Sequence, residues 1–145
     1  MIVVAIIGVI LFVVHLRVPD RAAATLKLEA ERMVQMLNDC RETAVLTGAP
    51  IGVRIAADSY ALARYRHAWR PFAAAADSAR HVLPAEIELT VARPPADDSP
   101  AVVCLPSGEA ALPALEMRHV SSAGHYRFID DSDSGFVAEW LAPPT

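Results

Sequence analysis

Apolar positions follow three successive patterns along the chain. The first is unbroken: Ile2, Val3, Val4, Ala5, Ile6, Ile7, Gly8, Val9, Ile10, Leu11, Phe12, Val13 and Val14 carry no charged or polar side chain. A helix spanning the hydrocarbon core of a bilayer needs about 20 apolar residues, so this run of 13 is short for a complete span. From Asp20 to Leu46 the period changes. Leu26, Ala30, Met33, Leu37, Cys40 and Ala44 recur at alternating steps of four and three, the stripe of one amphipathic helix over residues 20–47. Gly48 and Pro50 supply its stop.

Beyond the helix the period falls to two. Ile51, Val53 and Ile55 alternate with Gly52, Arg54 and Ala56, a half-buried strand, and Tyr60–Arg66 returns after an Ala57-Asp58-Ser59 turn. Residues 68–85, with Pro71, Pro84 and an alanine run, read as a loop that could contain a helical turn. Ile87, Leu89 and Val91 mark a clean strand, followed by an exposed loop over Ala92–Pro100. Further strands are predicted at Ala101–Leu105, Leu115–Val120, Tyr126–Ile129 and Phe136–Leu141, the last two forming a hairpin around Asp130–Gly135. One long helix followed by six or seven strands is an α+β layout.

Composition changes this picture little, but the charge distribution narrows it. Residues 1–49 hold five basic and five acidic side chains, residues 50–93 six and four, and residues 94–145 two and eight. An acidic final third argues against a general nucleic-acid surface. At 145 residues there is room for one domain with the apolar run as an appendage: residues 1–18 as a hydrophobic segment, residues 19–145 as the folded domain. A secretory signal peptide fits the run poorly. No basic residue precedes it, HLRVPD is a poor cleavage site, and Ala22–Ala24 is only a loose match to one.

Five stretches, in order, carry a family resemblance: MIVVAIIGVI; LEAERMVQMLNDCRETAVLTGAPIGVRI from Leu28 to Ile55; LPAEIEL from Leu83; CLPSGEAALPALEM from Cys104; and IDDSDSGFVAE from Ile129. Together they resemble the minor pseudopilins of the GspH/FimT family, relatives of the type IV pilins. The resemblance implies a long amino-terminal helix packed on an antiparallel β-sheet domain. Its apolar half serves first as a single-pass inner-membrane anchor, with the globular part in the periplasm, and later as filament core. Exchanging lipid contacts for helix contacts suits a segment that is apolar all round, and Gly8 permits close approach. Leu26, Met33, Leu37, Cys40 and Ala44 are the expected helix–sheet contacts.

The implied role is structural: a component of the type II secretion pseudopilus, near its tip, supporting export of folded proteins. The implied partners are other minor pseudopilins, the major pseudopilin, the inner-membrane secretion platform and the lipid bilayer. Two alternatives stay open at this stage, a FimT-like minor pilin of a type IV pilus and a membrane-anchored periplasmic binding module. Members of the family carry a leader, a peptidase site and usually a glutamate early in the mature chain. None stands before or within Ile2–Val14, so the true start is expected upstream of Met1.

Candidate chemistry is sparse. Asp130, Asp131, Asp133 and Gly135 invite a calcium reading. Ser132 and Ser134 occupy the third and fifth positions of an EF-hand frame, and Leu141 stands where the closing glutamate belongs, so a solvated turn fits better. Arg64, Arg66, His67, Arg70, Arg80 and His81, with Tyr65 and Trp69, form a basic-aromatic cluster. It reads better as a solvated face or an interaction rim than as a DNA site. Cys40 and Cys104 face one core, and the strict geometry of a disulfide favours a buried thiol pair over a bridge. Glu116 and His119 fall on opposite faces of a strand, and His125 has no acidic or thiol neighbour at ligand spacing. No catalytic, metal or cofactor residue is assigned, and no enzymatic activity is expected. The loops at 68–85 and 92–100 are candidate partner contacts.

Overall fold

The computed structural model describes residues 21–72 and 80–145. Helix α1 runs over Arg21–Thr47 and ends where Gly48, at φ +63°, donates its N–H to the Ala44 carbonyl at 3.1 Å. A left-handed residue costs glycine nothing, which is why the helix stops there rather than at Thr47. The apolar run Ile2–Val14, the first segment of the two-part division, lies outside the described residues. Among the described residues no helix is long and apolar enough to cross a membrane.

Among the described residues ten strands follow: β1 (Ile51–Ile55), β2 (Ser59–Arg66), β3 (Ala68–Pro71), β4 (Arg80–Val82), β5 (Ile87–Val91), β6 (Val102–Cys104), β7 (Ala110–Ala111), β8 (Leu115–His119), β9 (His125–Asp131) and β10 (Gly135–Leu141). They form two antiparallel sheets. The first has the order β3-β2-β1-β6-β7, with β4 pairing the early part of β2, and the second has the order β10-β9-β8-β5. Helix α1 packs across both, against β1 and β6 of one sheet and β8 and β10 of the other. The result is a long helix on antiparallel sheets, the α+β class expected.

Leu26, Ala30, Met33, Leu37, Cys40 and Ala44 on α1 are buried together with Ile51, Val53, Val102, Cys104, Leu115, Met117, Phe128 and Phe136. Each large apolar side chain so enclosed contributes roughly 1.5–3 kcal/mol.

Three strands depart from expectation. β3 and β4 fall inside residues 68–85, read as a loop, and β7 was not anticipated. All three are two to four residues long and mostly exposed. A strand with no buried face shows no alternation, and pairing alone makes it. The helical turn expected in this stretch falls partly on residues 73–79, which lie outside the described residues. β9 extends through Asp131, so the final hairpin turn is Ser132-Asp133-Ser134, shorter than the span expected from Asp130 to Gly135.

Candidate functional site

Among the described residues, the features that bear on function are the seam under α1 and the surfaces it leaves open. The seam holds more than an apolar stripe. Glu29, on its flank, exposes only 2 % of its surface. Its carboxylate meets Arg32 Nη1 at 2.8 Å one turn on, and His81 Nε2 of β4 at 2.7 Å. A buried carboxylate without such partners would be costly. Tyr60 packs against the His81 ring at 5.1 Å. Burial, with the Glu29 charge adding to it, holds the Tyr60 hydroxyl well above the usual tyrosine range. His81, placed in a basic cluster by its neighbours in sequence, is thus turned inward to the helix.

The far end of α1 grips the last hairpin. Asn38 donates Nδ2 to the Phe136 carbonyl at 3.2 Å and accepts the Phe136 N–H on Oδ1 at 3.0 Å. Arg41 reaches Asp130 Oδ2 at 2.5 Å, and its guanidinium lies 4.2 Å from the centre of the Phe136 ring. Gly135 has φ +78°, and a Cβ there would come within 2.7 Å of Asn38 Oδ1. Glycine is needed at this point twice over, for its backbone angle and for the approach of the helix. The Asp130 carboxylate, one of the calcium candidates, is therefore engaged by Arg41. Asp131 Oδ1 accepts the N–H of Asp133 at 3.2 Å, as a turn aspartate does. Among the described residues no group of three His, Cys, Asp or Glu side chains is placed to hold a metal ion.

The basic-aromatic cluster is divided by the fold. Tyr65 and Trp69 are cross-strand partners on the β2–β3 hairpin, stacked edge to face at 5.4 Å. Arg64 and Arg70 are likewise directly opposed, a like-charge pairing that weakens the hairpin. His67 forms its tip at φ +62°. Arg80 turns to Ser59 Oγ at 3.0 Å and Asp58 at 3.7 Å. Sequence spacing also missed an acidic neighbour of His125: Glu116 Oε1 lies 3.6 Å from His125 Nε2 and 3.3 Å from Arg127 Nη2 across the β8–β9 pair.

One surface went unread in the sequence. Between α1 and the β9–β10 pair runs a shallow groove of about 340 Å³, with Ala30, Val34, Tyr126, Val137 and Ala138 on its apolar walls and Lys27 and Glu31 also lining it. Beside it Trp140 is 47 % exposed and packs edge to face on Tyr126 at 5.1 Å. The outward alternation of Tyr126 and Trp140 on two neighbouring strands is the signal that could have found it.

Comparison with known proteins accords with this architecture. No curated protein sequence matches the chain. Among solved structures, the minor pseudopilin EpsH from the Type 2 Secretion System of Vibrio cholerae superposes with a TM-score of 0.64 at 21 % identity, over 83 % of this chain and 98 % of that one. The solution structure of E. coli GspH superposes with a TM-score of 0.63 at 18 % identity, over 87 % and 94 % of the two chains. At such identities the likeness is one of fold. The sequence model of type II transport protein GspH matches residues 29–135, from the buried carboxylate of α1 to the glycine beneath Asn38. A match over so much of the folded domain means that the chain belongs to the type II transport protein GspH family.

Proposed function

We propose that the protein works as a minor pseudopilin close to the tip of the pseudopilus, a structural subunit that makes and breaks no bond. The observation that carries this reading is α1: 27 residues whose inner stripe is buried against both sheets. This fixes the folded domain to the helix as one body, as a subunit carried on a filament requires. The apolar run Ile2–Val14 supplies the inner-membrane anchor before assembly and the filament-core segment afterwards. The domain then stands in the periplasm. Its partners are other minor pseudopilins, the major pseudopilin and the secretion platform of the inner membrane.

Leu26, Met33, Leu37, Cys40 and Ala44 serve this role by joining helix to sheet. The groove beside Trp140 and the loop at 92–100 face outward, where neighbouring subunits can reach them. The decisive experiment is deletion of the gene in its own host, with complementation. Exported proteins should accumulate in the periplasm of the deletion strain, and the tagged protein should co-purify with other pseudopilins. Normal export together with lost twitching or DNA uptake would overturn the reading in favour of a type IV pilus subunit.

A further inference from the structure

Cys40 and Cys104 are the only cysteines of the chain, and neither exposes any surface. They come from different layers. Cys40 lies on the buried stripe of α1, and Cys104 ends β6, where its register partner on β1 is Ile51. The Cys40 thiol donates to the Ile51 carbonyl at 3.4 Å, which sets it at the level of Cys104 in the strand pair beneath. Both are free thiols, and Cys40 thus lies against the carbonyl of the residue directly opposite Cys104. The two cysteines share no motif in the sequence, yet the fold brings both into one buried cluster between α1 and the β1–β6 pair.

We propose that Cys40 and Cys104 close into an intrachain disulfide that ties α1 to the β1–β6 pair in the exported protein. The inference rests on the periplasmic placement proposed above, since disulfides form and persist in that compartment. It also goes against the expectation drawn from sequence. That expectation turned on how rarely two cysteines meet the geometry of a bridge, and the fold answers it by setting Cys40 on the carbonyl of Ile51, the residue paired with Cys104.

The chemistry is thiol–disulfide exchange with a disulfide-bearing oxidant. The thiolate of one cysteine attacks a sulfur of the oxidant, giving a mixed disulfide and releasing one oxidant thiol. The second cysteine then displaces the remaining oxidant sulfur. The two chain thiols are oxidised, the oxidant disulfide is reduced to two thiols, and the two protons end on them. Because both sulfurs are enclosed, the exchange belongs to folding, before α1 settles on the sheets.

The test uses the full chain isolated from its own host, with free thiols trapped in acid and alkylated in denaturant. The expected result is no alkylation without reductant, two alkylated cysteines after reduction, and a linked peptide containing Cys40 and Cys104. Reduction should lower the thermal midpoint by roughly 5–15 °C, an effect absent from the Cys40→Ala, Cys104→Ala double variant. The mass measurement on the native sequence stands even if that variant folds poorly. Two free thiols in the isolated protein overturn the proposal. Refolding reduced, denatured protein in a glutathione redox buffer then tells why. Closure in the tube but not in the cell faults the periplasmic placement, and failure in both faults the geometry.

Discussion

Glu29 is the residue that the pattern of the helix conceals. It sits one position before Ala30, at the edge of the stripe, and reads in sequence like any helix-surface acid. Only the return of β4, 52 positions later, gives it His81 and encloses it. Glu29→Ala should cost roughly 1.5–3 kcal/mol, the range for hydrogen bonds to charged groups. Arg32→Ala should cost under about 1 kcal/mol, because Arg32 is half exposed and its pairing is screened. Urea unfolding of the two variants decides, and equal losses would mean that enclosure of Glu29 contributes nothing. Tyr60 carries a second prediction. Its folded ionisation is raised, by burial first and by Glu29 after it. The unfolded chain therefore loses that proton first, near the ordinary value of about 10. The contribution of Tyr60 is complete below that pH and is lost as pH climbs above it. Stability measured by urea should fall above about pH 10 in the parent, and less steeply in Tyr60→Phe. Identical slopes would remove Tyr60 from the account.

At the scale of elements, the hairpins divide into those held by the helix and those left to themselves. The β9–β10 turn is held, through Asn38 on both polar atoms of Phe136. Asn38→Ala should cost roughly 1–3 kcal/mol, since it strips partners from backbone groups at the seam. Amide exchange at Phe136 should speed up before exchange elsewhere in β10, and uniform acceleration would contradict a local latch. The β2–β3 hairpin is left to itself, with Arg64 facing Arg70. Arg70→Glu converts that pair to opposite charges and should stabilise by a few tenths of a kcal/mol to about 1 kcal/mol. A destabilised variant would show that Arg70 has a role beyond its cross-strand neighbour. The same division decides what could be read in advance. α1 and β5 turn one apolar face inward, as do Ile51 and Val53 of β1, and burial writes a period into the sequence. β3, β4 and β7 bury almost none, so nothing marked them. The Asn38–Phe136 latch and the Glu116–His125 approach depend on register between distant segments, which no local spacing encodes.

For the whole molecule, one core serves both sheets. Phe128 and Phe136 of one sheet and Ile51 and Val102 of the other close on the same side chains of α1. Leu37→Ala at its centre should cost about 2–5 kcal/mol and lower the unfolding of both sheets together. Tryptophan emission follows Trp69 in one sheet and Trp140 in the other, so single-tryptophan variants can be compared. Separate midpoints would mean that each sheet unfolds by itself. The placement of that core has a mechanical side. A tension applied at the amino-terminal end of α1 and opposed at the sheets runs along the helix axis, parallel to the buried stripe. The contacts from Leu26 to Ala44 span about 27 Å of helix, and they are strained in parallel rather than one after another. Such a joint resists shear far better than peeling, because no single contact can give way alone. Drawn along its helix, the domain should travel whole; pulled sideways at its last hairpin, it should open from Asn38.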